Sequence, residues 1–143
     1  MKYLFDASAL LNLVRRLGEK ALKILEGNYI LTLTIYEIGN ALWRETSLLK
    51  KLTIDAAEEI MKAVIALTKF MQVTDPENHI EILEMSNKMG ITFYDMAYVI
   101  MALRMNLTLV TDDKRLVAKI EKHQDMILKK YRKKLRIIGS AKL

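Results

Sequence analysis

Residues 3–11 read Tyr3-Leu4-Phe5-Asp6-Ala7-Ser8-Ala9-Leu10-Leu11. Three apolar residues stop at a carboxylate, and Leu10, Leu11, Leu13 and Val14 then fall at helical spacing. The pattern predicts a strand passing directly into a helix, with Asp6 at the junction. The arrangement recurs along the chain. After a helical stretch near 18 to 26, Tyr29-Ile30-Leu31-Thr32-Leu33 is β-rich and leads through Thr34 into a helix over roughly 35 to 49. Thr53 starts another helix, whose Ile54, Ala57, Ile60, Met61, Val64, Ile65 and Leu67 form one apolar face, so the two should pair as a hairpin. Phe70-Met71-Gln72-Val73 reads as a short strand, and Asp75-Pro76 as an N-cap with proline at the first helical position, opening a helix that runs to Gly90. A helix from Asp95 to about Met105 is apolar around its circumference and should be central. Leu107-Thr108-Leu109-Val110 reads as a buried strand ending at Thr111-Asp112-Asp113, followed by a basic helix through about Lys122, a further helical segment and a last strand, Leu135 to Ile138.

Apolar strands alternating with helices predict an α/β fold whose parallel sheet is covered on both faces. Ligands gather at the carboxyl ends of such strands. Asp6, Glu37, Asp95 and the pair Asp112 and Asp113 all fall where a strand ends or a helix begins, and Asp6, Glu37, Asp112 and Asp113, which follow strands, should face one edge. Carboxylates brought together repel one another and persist only when hydrated, partly protonated or neutralised by a cation.

Each acid has a structural explanation too. Asp6 suits an N-cap, as does Ser8, and Asp112 could cap the helix after it. Thr34-Ile35-Tyr36-Glu37 matches a capping box, and Thr92-Phe93-Tyr94-Asp95 has the same spacing with a shorter acid. Two features exceed capping: Asp95 heads an apolar helix where an unpartnered carboxylate is costly, and Asp113 is one acid more than a single cap needs. Asn40 and Arg44 follow Glu37 at helical spacing and extend a polar face beside it.

At 143 residues the chain is expected to form one domain over 1–143, with a core of useful size. A hydrophobic fraction of 52% with 1 Pro and 5 Gly fits short loops, and the absence of cysteine excludes disulfides, thiolate metal sites and cysteine nucleophiles. His79 and His123 lack ligand spacing and read as surface residues. An acid inside the would-be apolar region of the N-terminus argues against an export signal, and the longest apolar run, Met96 to Leu103, is too short for a membrane span. A soluble cytoplasmic protein is expected. The net charge of +6 is concentrated from Lys114 onward, and Arg15, Arg16, Lys20 and Lys23 follow the first acid. Basic groups beside an acidic centre suit a polyanion, whereas the run from 129 to 134 alone is equally a solvated face.

Asp6-Ala7-Ser8-Ala9-Leu10-Leu11, Glu37 with Asn40-Ala41-Leu42, Tyr94-Asp95-Met96-Ala97-Tyr98 and Leu109-Val110-Thr111-Asp112-Asp113-Lys114-Arg115-Leu116 occur in the order and approximate spacing of the PIN domain. In length and pattern the chain resembles the VapC-type toxin ribonucleases. The resemblance implies a three-layer α/β/α fold with a short parallel sheet of about five strands, and endonucleolytic cleavage of RNA dependent on Mg²⁺ or Mn²⁺. It implies a catalytic quartet of Asp6, Glu37, Asp95 and Asp113, with Asp6, Asp95 and Asp113 as metal ligands and Glu37 holding a second ion or orienting water. Ser8 and Thr111 match hydroxyl positions near the metal, Asn40 and Arg44 would support the site or touch substrate, and Asp112 occupies a variable position. A VapB-type antitoxin and a homodimer are expected partners. The alternatives are a PIN-domain RNA-processing nuclease outside a toxin pair and a silent PIN-like scaffold that binds RNA or protein. Asp6-Ala7-Ser8 lacks the second aspartate of a haloacid-dehalogenase-type phosphatase, and the acids do not fall as a receiver domain requires.

Overall fold

The computed structural model describes residues 1–143. Five parallel strands, β1 (Tyr3–Phe5), β2 (Tyr29–Leu31), β3 (Gln72–Thr74), β4 (Thr108–Val110) and β5 (Ile137–Ile138), form one sheet in the order β3-β2-β1-β4-β5. The register pairs Leu4 with Tyr29 on one side and with Leu109 on the other. Because β2 and β3 lie to one side of β1 while β4 and β5 lie to the other, the order reverses between β1 and β4. Such a reversal splays the flanking connections apart and leaves a crevice at the carboxyl edge.

Alternation along β1 divides the core. Phe5 packs with α1 (Ala7–Leu17), α2 (Leu22–Leu25), α3 (Thr34–Trp43) and α4 (Ile54–Thr68) on one face. Leu4 packs with α5 (His79–Met89), α6 (Phe93–Arg104), α7 (Lys114–Lys122) and α8 (Gln124–Tyr131) on the other. The three-layer α/β/α architecture expected from the resemblance is the one observed. Helix α6 is central as its composition predicts, with every side chain from Met96 to Leu103 buried. No helix is long and apolar enough to cross a membrane.

Several local expectations change. Residues 18–25 form a 3₁₀ turn running into the four-residue α2. The helix begun at Thr34 continues past Trp43 as a wider π-helical turn, Arg44–Leu48. Asp75 does not cap α5: β3 runs on to Thr74, whose carbonyl accepts from Thr32, and the chain then needs residues 75–78 to leave the sheet edge. Asn78 makes that turn in the left-handed conformation, φ 61°, which asparagine tolerates better than most residues. Nor does Thr34 form a capping box with Glu37. Its hydroxyl accepts from Leu31 N–H at 3.1 Å and lies 2.7 Å from the Tyr98 phenol, so it is turned inward to the sheet rather than along its own helix.

Candidate active site

Asp6, Glu37, Asp95 and Asp113 line one pocket of about 430 Å³ at the carboxyl edge, together with Ser8, Arg44 and Tyr98. Strand pairing explains two of them. Asp6 and Asp113 follow β1 and β4, which are adjacent, and the Asp6 N–H donates to the Val110 carbonyl at 3.0 Å. Both acids also cap helices, Asp6 accepting from Ala9 N–H at 2.9 Å and Asp113 from Arg115 and Leu116 N–H at 2.9 and 3.1 Å. In each case the capping bonds go to Oδ1, which leaves the second oxygen outside the cap. One carboxylate therefore serves the helix and still presents an oxygen to the pocket.

Asp95 is different. Thr92 caps α6 by accepting from the Asp95 N–H at 3.2 Å, and the Asp95 carboxylate has no part in that bond. Burial raises its pKa, the Thr92 hydroxyl opposes this, and the charge of Asp113 adds to the rise. Asp6, only 4% exposed, is pushed up to about 6 by burial, which hydrogen bonds from Thr111, Ala9 and Ser8 offset in part. Glu37 reaches about 7, again chiefly through burial, with the Tyr98 hydrogen bond lowering it and the charges of Asp95 and Asp6 raising it. The pocket thus disfavours its own charge. No three of these side chains close into a ready coordination shell. The donor set is nevertheless hard oxygen throughout, and neutralising its mutual repulsion is what a Mg²⁺- or Mn²⁺-sized cation would do.

Two residues that sequence reasoning assigned no role hold this site. Tyr98 lies one helical turn after Asp95 and donates to Glu37 Oε1 at 2.8 Å, joining α6 to α3 over the end of the sheet. Its buried phenol is pushed far above the ordinary range, by burial first and then by Glu37, so it remains a donor. The i, i+3 spacing from Asp95 was its only signal. Ser140, from the chain's last turn, donates its N–H and hydroxyl to Asp112 at 2.7 and 2.6 Å, while Asn12 donates to the same carboxylate at 2.9 Å.

Asp112 is consequently turned away from the acidic pocket, with both oxygens occupied. Burial alone would raise its pKa, but bonds from Ser140 and Asn12 and the charge of Arg16 hold it below the usual range. It is not the N-cap of α7; Asp113 is. Its own N–H donates to Ser8 Oγ at 3.1 Å, and Ser8 donates to Asp6 at 2.7 Å, so with the Ser140 bond a three-bond chain joins the C-terminal turn to the first acid. Removing a partly buried acceptor with three donors leaves those donors unpaired. Asp112→Ala is expected to cost about 1–3 kcal/mol in urea denaturation and to speed amide exchange in residues 139–143.

The cations are distributed less simply than the sequence suggests. Arg136 precedes β5 and donates to the Asn106 carbonyl, ahead of β4, which places it at the amino edge of the sheet, opposite the acids, whereas Lys114 and Arg115 open α7 directly after Asp113 at the carboxyl edge. Arg15 pairs with Glu45 and Arg16 with the Ser140 carbonyl. Arg44 alone among the cations lines the acidic pocket, and Asn40 lines the adjoining one. Thr111 is buried and accepts from the Asp113 N–H at 3.1 Å. His79 is exposed, and His123 donates its Nδ1–H to the Lys119 carbonyl at 2.8 Å.

Comparison with known proteins agrees with this geometry. The PIN domain family matches residues 3–122, a span that runs from β1 through α7 and contains all four acids of the pocket. Exonuclease VapC9 of Pyrobaculum aerophilum is 42% identical over 119 residues, covering 83% of this chain and 86% of that protein. The crystal structure of PAE2754 from the same organism superposes with a TM-score of 0.71 at 39% identity, over 83% of this chain and 79% of that one. With a family match over most of its length and a relative 42% identical, the chain belongs to the PIN-domain family, in its VapC-type branch.

Proposed function

We propose that this chain is a divalent-metal-dependent endoribonuclease and the toxin member of a VapB–VapC-type pair. The observation that carries the reading is the convergence of four carboxylates, from four separate segments, on one pocket at the sheet's topological reversal. Asp6, Asp95 and Asp113 would hold Mg²⁺ or Mn²⁺. When bound, the ion supplies positive charge against the phosphoryl oxygens and makes a nearby water a better nucleophile. Glu37, with a pKa near neutrality before any cation binds, is suited to accept the proton of the attacking water or to orient it. Arg44 faces the same pocket and would pair with a substrate phosphate. Ser8 and Thr111 position Asp6 and Asp113.

Tyr98 acts through Glu37. Tyr98→Phe removes the donor to Oε1 while keeping the ring in the core, so kcat is expected to fall by roughly tenfold with KM for RNA unchanged. Stability should fall by about 1 kcal/mol, and steady-state kinetics beside a melting curve check both.

The relative's name specifies an exonuclease, which makes end-directed cleavage the second reading. An open trough lined by exposed residues such as Tyr36 and Arg44 does not require a free chain end, which supports internal cleavage here. Purified protein incubated with circular and linear labelled RNA, in Mg²⁺, Mn²⁺ or chelator, separates the two. Metal-dependent opening of circles supports the proposal; cutting of linear RNA alone points to the exonuclease, and cleavage indifferent to chelator removes the metal role. The antitoxin would seat on the apolar groove between α3 and α4, where Trp43 and Ile54 are exposed. The proposal extends to residues 123–143 as part of the same domain, in a homodimeric cytoplasmic protein.

A further inference from the structure

Two more depressions continue the acidic pocket along the carboxyl edge. The nearer shares Glu37, Ala41 and Arg44 with it and adds Tyr36 and Tyr94. The farther shares Leu33 and Tyr94 with the nearer and ends at Asp75, His79 and Phe93. The three form one trough, and each extension has about 470 Å³, within the range of roughly 300–1,000 Å³ typical of small-molecule sites.

The character of the walls changes along it. The first section is acidic, Arg44 stands at the join, and beyond it four rings line the trough among Thr32, Leu33, Asn40, Asp75 and Pro76. Tyr36 is 81% exposed, Tyr94 60% and Phe93 38%, while the His79 ring stacks on Phe93 with centroids 6.4 Å apart and planes 23° from parallel. Core packing does not account for aromatic side chains so exposed. They also come from three different segments, α3, the start of α5 and the first turn of α6, and meet on the one trough that leads into the acids. A row of ring faces beside a cation, continuing from a phosphate-cleaving pocket, matches the chemistry of an unpaired polynucleotide: bases stack on aromatic faces while an arginine takes the backbone charge.

We propose that Tyr36, Tyr94 and the Phe93–His79 stack are base-stacking positions for the nucleotides next to the scissile phosphate, with Arg44 on the intervening phosphate. The inference rests on the nuclease reading above and deepens it, because bases held inside a duplex could not reach these rings. Tyr36 and Tyr94 carry the nearer base, and Phe93 with His79 the one beyond.

The test measures binding in chelator, without turnover, using a fluorescein-labelled single-stranded RNA of about a dozen nucleotides, the same strand with consecutive abasic sites, and its duplex. Wild-type protein is expected to bind the intact strand roughly tenfold or more tightly than the abasic strand. The double variant Tyr36→Ala/Tyr94→Ala should bind the intact strand roughly ten- to a hundredfold more weakly and lose that discrimination, while the corresponding Phe substitutions retain it. Equal binding of intact and abasic strands by wild-type protein overturns the proposal, and needs no variant. So does a double variant with undiminished RNA affinity, including one whose dimer falls apart in sedimentation, since the trough would then be a contact between copies. Loss of the nuclease reading would register separately, as cleavage that survives substitution of the acids.

Discussion

Asp95→Asn is expected to lower RNA cleavage by at least about a hundredfold while leaving the melting temperature unchanged or higher. The reasoning rests on what Asp95 does not do. Thr92 caps α6, and the Asp95 carboxylate accepts from none of the backbone N–H groups of the helix that carries it. It stands instead in a pocket with three other acids and is held above its ordinary pKa by burial and by Asp113. Replacing it with the neutral isostere removes a repulsion and a metal donor together, so stability and activity should move in different directions. Asp6 and Asp113 cannot give so clean a result, because each also caps a helix. Cleavage within about twofold of wild type in a folded Asp95→Asn protein would remove Asp95 from the chemistry.

In the metal-free protein, stability should fall as pH rises from about 4 to about 7. Asp6 titrates near 3.8 when unfolded and about 6 when folded, and Glu37 near 4.5 and about 7. For an acid whose folded pKa is raised, the folded state holds the proton more tightly, so raising the pH through that interval favours unfolding. The Asp6 difference alone is worth about 3 kcal/mol, and Glu37 adds in the same direction with its exposed side screened by solvent. On the acid side Asp112 acts oppositely: its lowered pKa makes its bonds a source of stability that is lost as pH falls through the folded value. Urea denaturation in chelator at pH 4.5, 6 and 8 checks the slope. Asp6→Asn, which keeps a competent N-cap, should flatten it. Added Mg²⁺ or Mn²⁺ should restore stability at pH 8 in wild type and much less in the Asp95 variant. A metal-free protein most stable at pH 8 would show that Asp6 and Glu37 do not hold their protons more tightly in the folded state.

The fold was legible because its signals are local. Tyr3-Leu4-Phe5 and Leu107-Thr108-Leu109-Val110 are too short and too continuously apolar for anything but buried strands, and the unbroken apolar surface of Met96 to Leu103 left no exposed place for α6. Position at strand ends then brought Asp6 and Asp113 to the same edge. Local signals failed where a longer-range contact outweighed them. Asp75-Pro76 has the composition of a helix start, but β3 needed Thr74 for its partner and pushed the start of α5 to His79. Thr34 and Glu37 have capping-box spacing, yet the buried Tyr98 hydroxyl draws both into a bridge between the two helical layers.

The sequence by itself determined which residues make strands, which helix is central and which acids could share an edge, because hydrophobic periodicity and chain direction are properties of neighbours along the chain. Tertiary structure decided which oxygens are free. Only folding sets Asp112 against Asn12 and Ser140, 100 and 28 residues away, and so removes it from the pocket that Asp113 enters. Only folding, likewise, lays Tyr36, Tyr94 and Phe93 along one trough beside those acids. Adjacent carboxylates with the same intrinsic chemistry acquire different roles through the donors that surround them, and those donors come from distant parts of the chain.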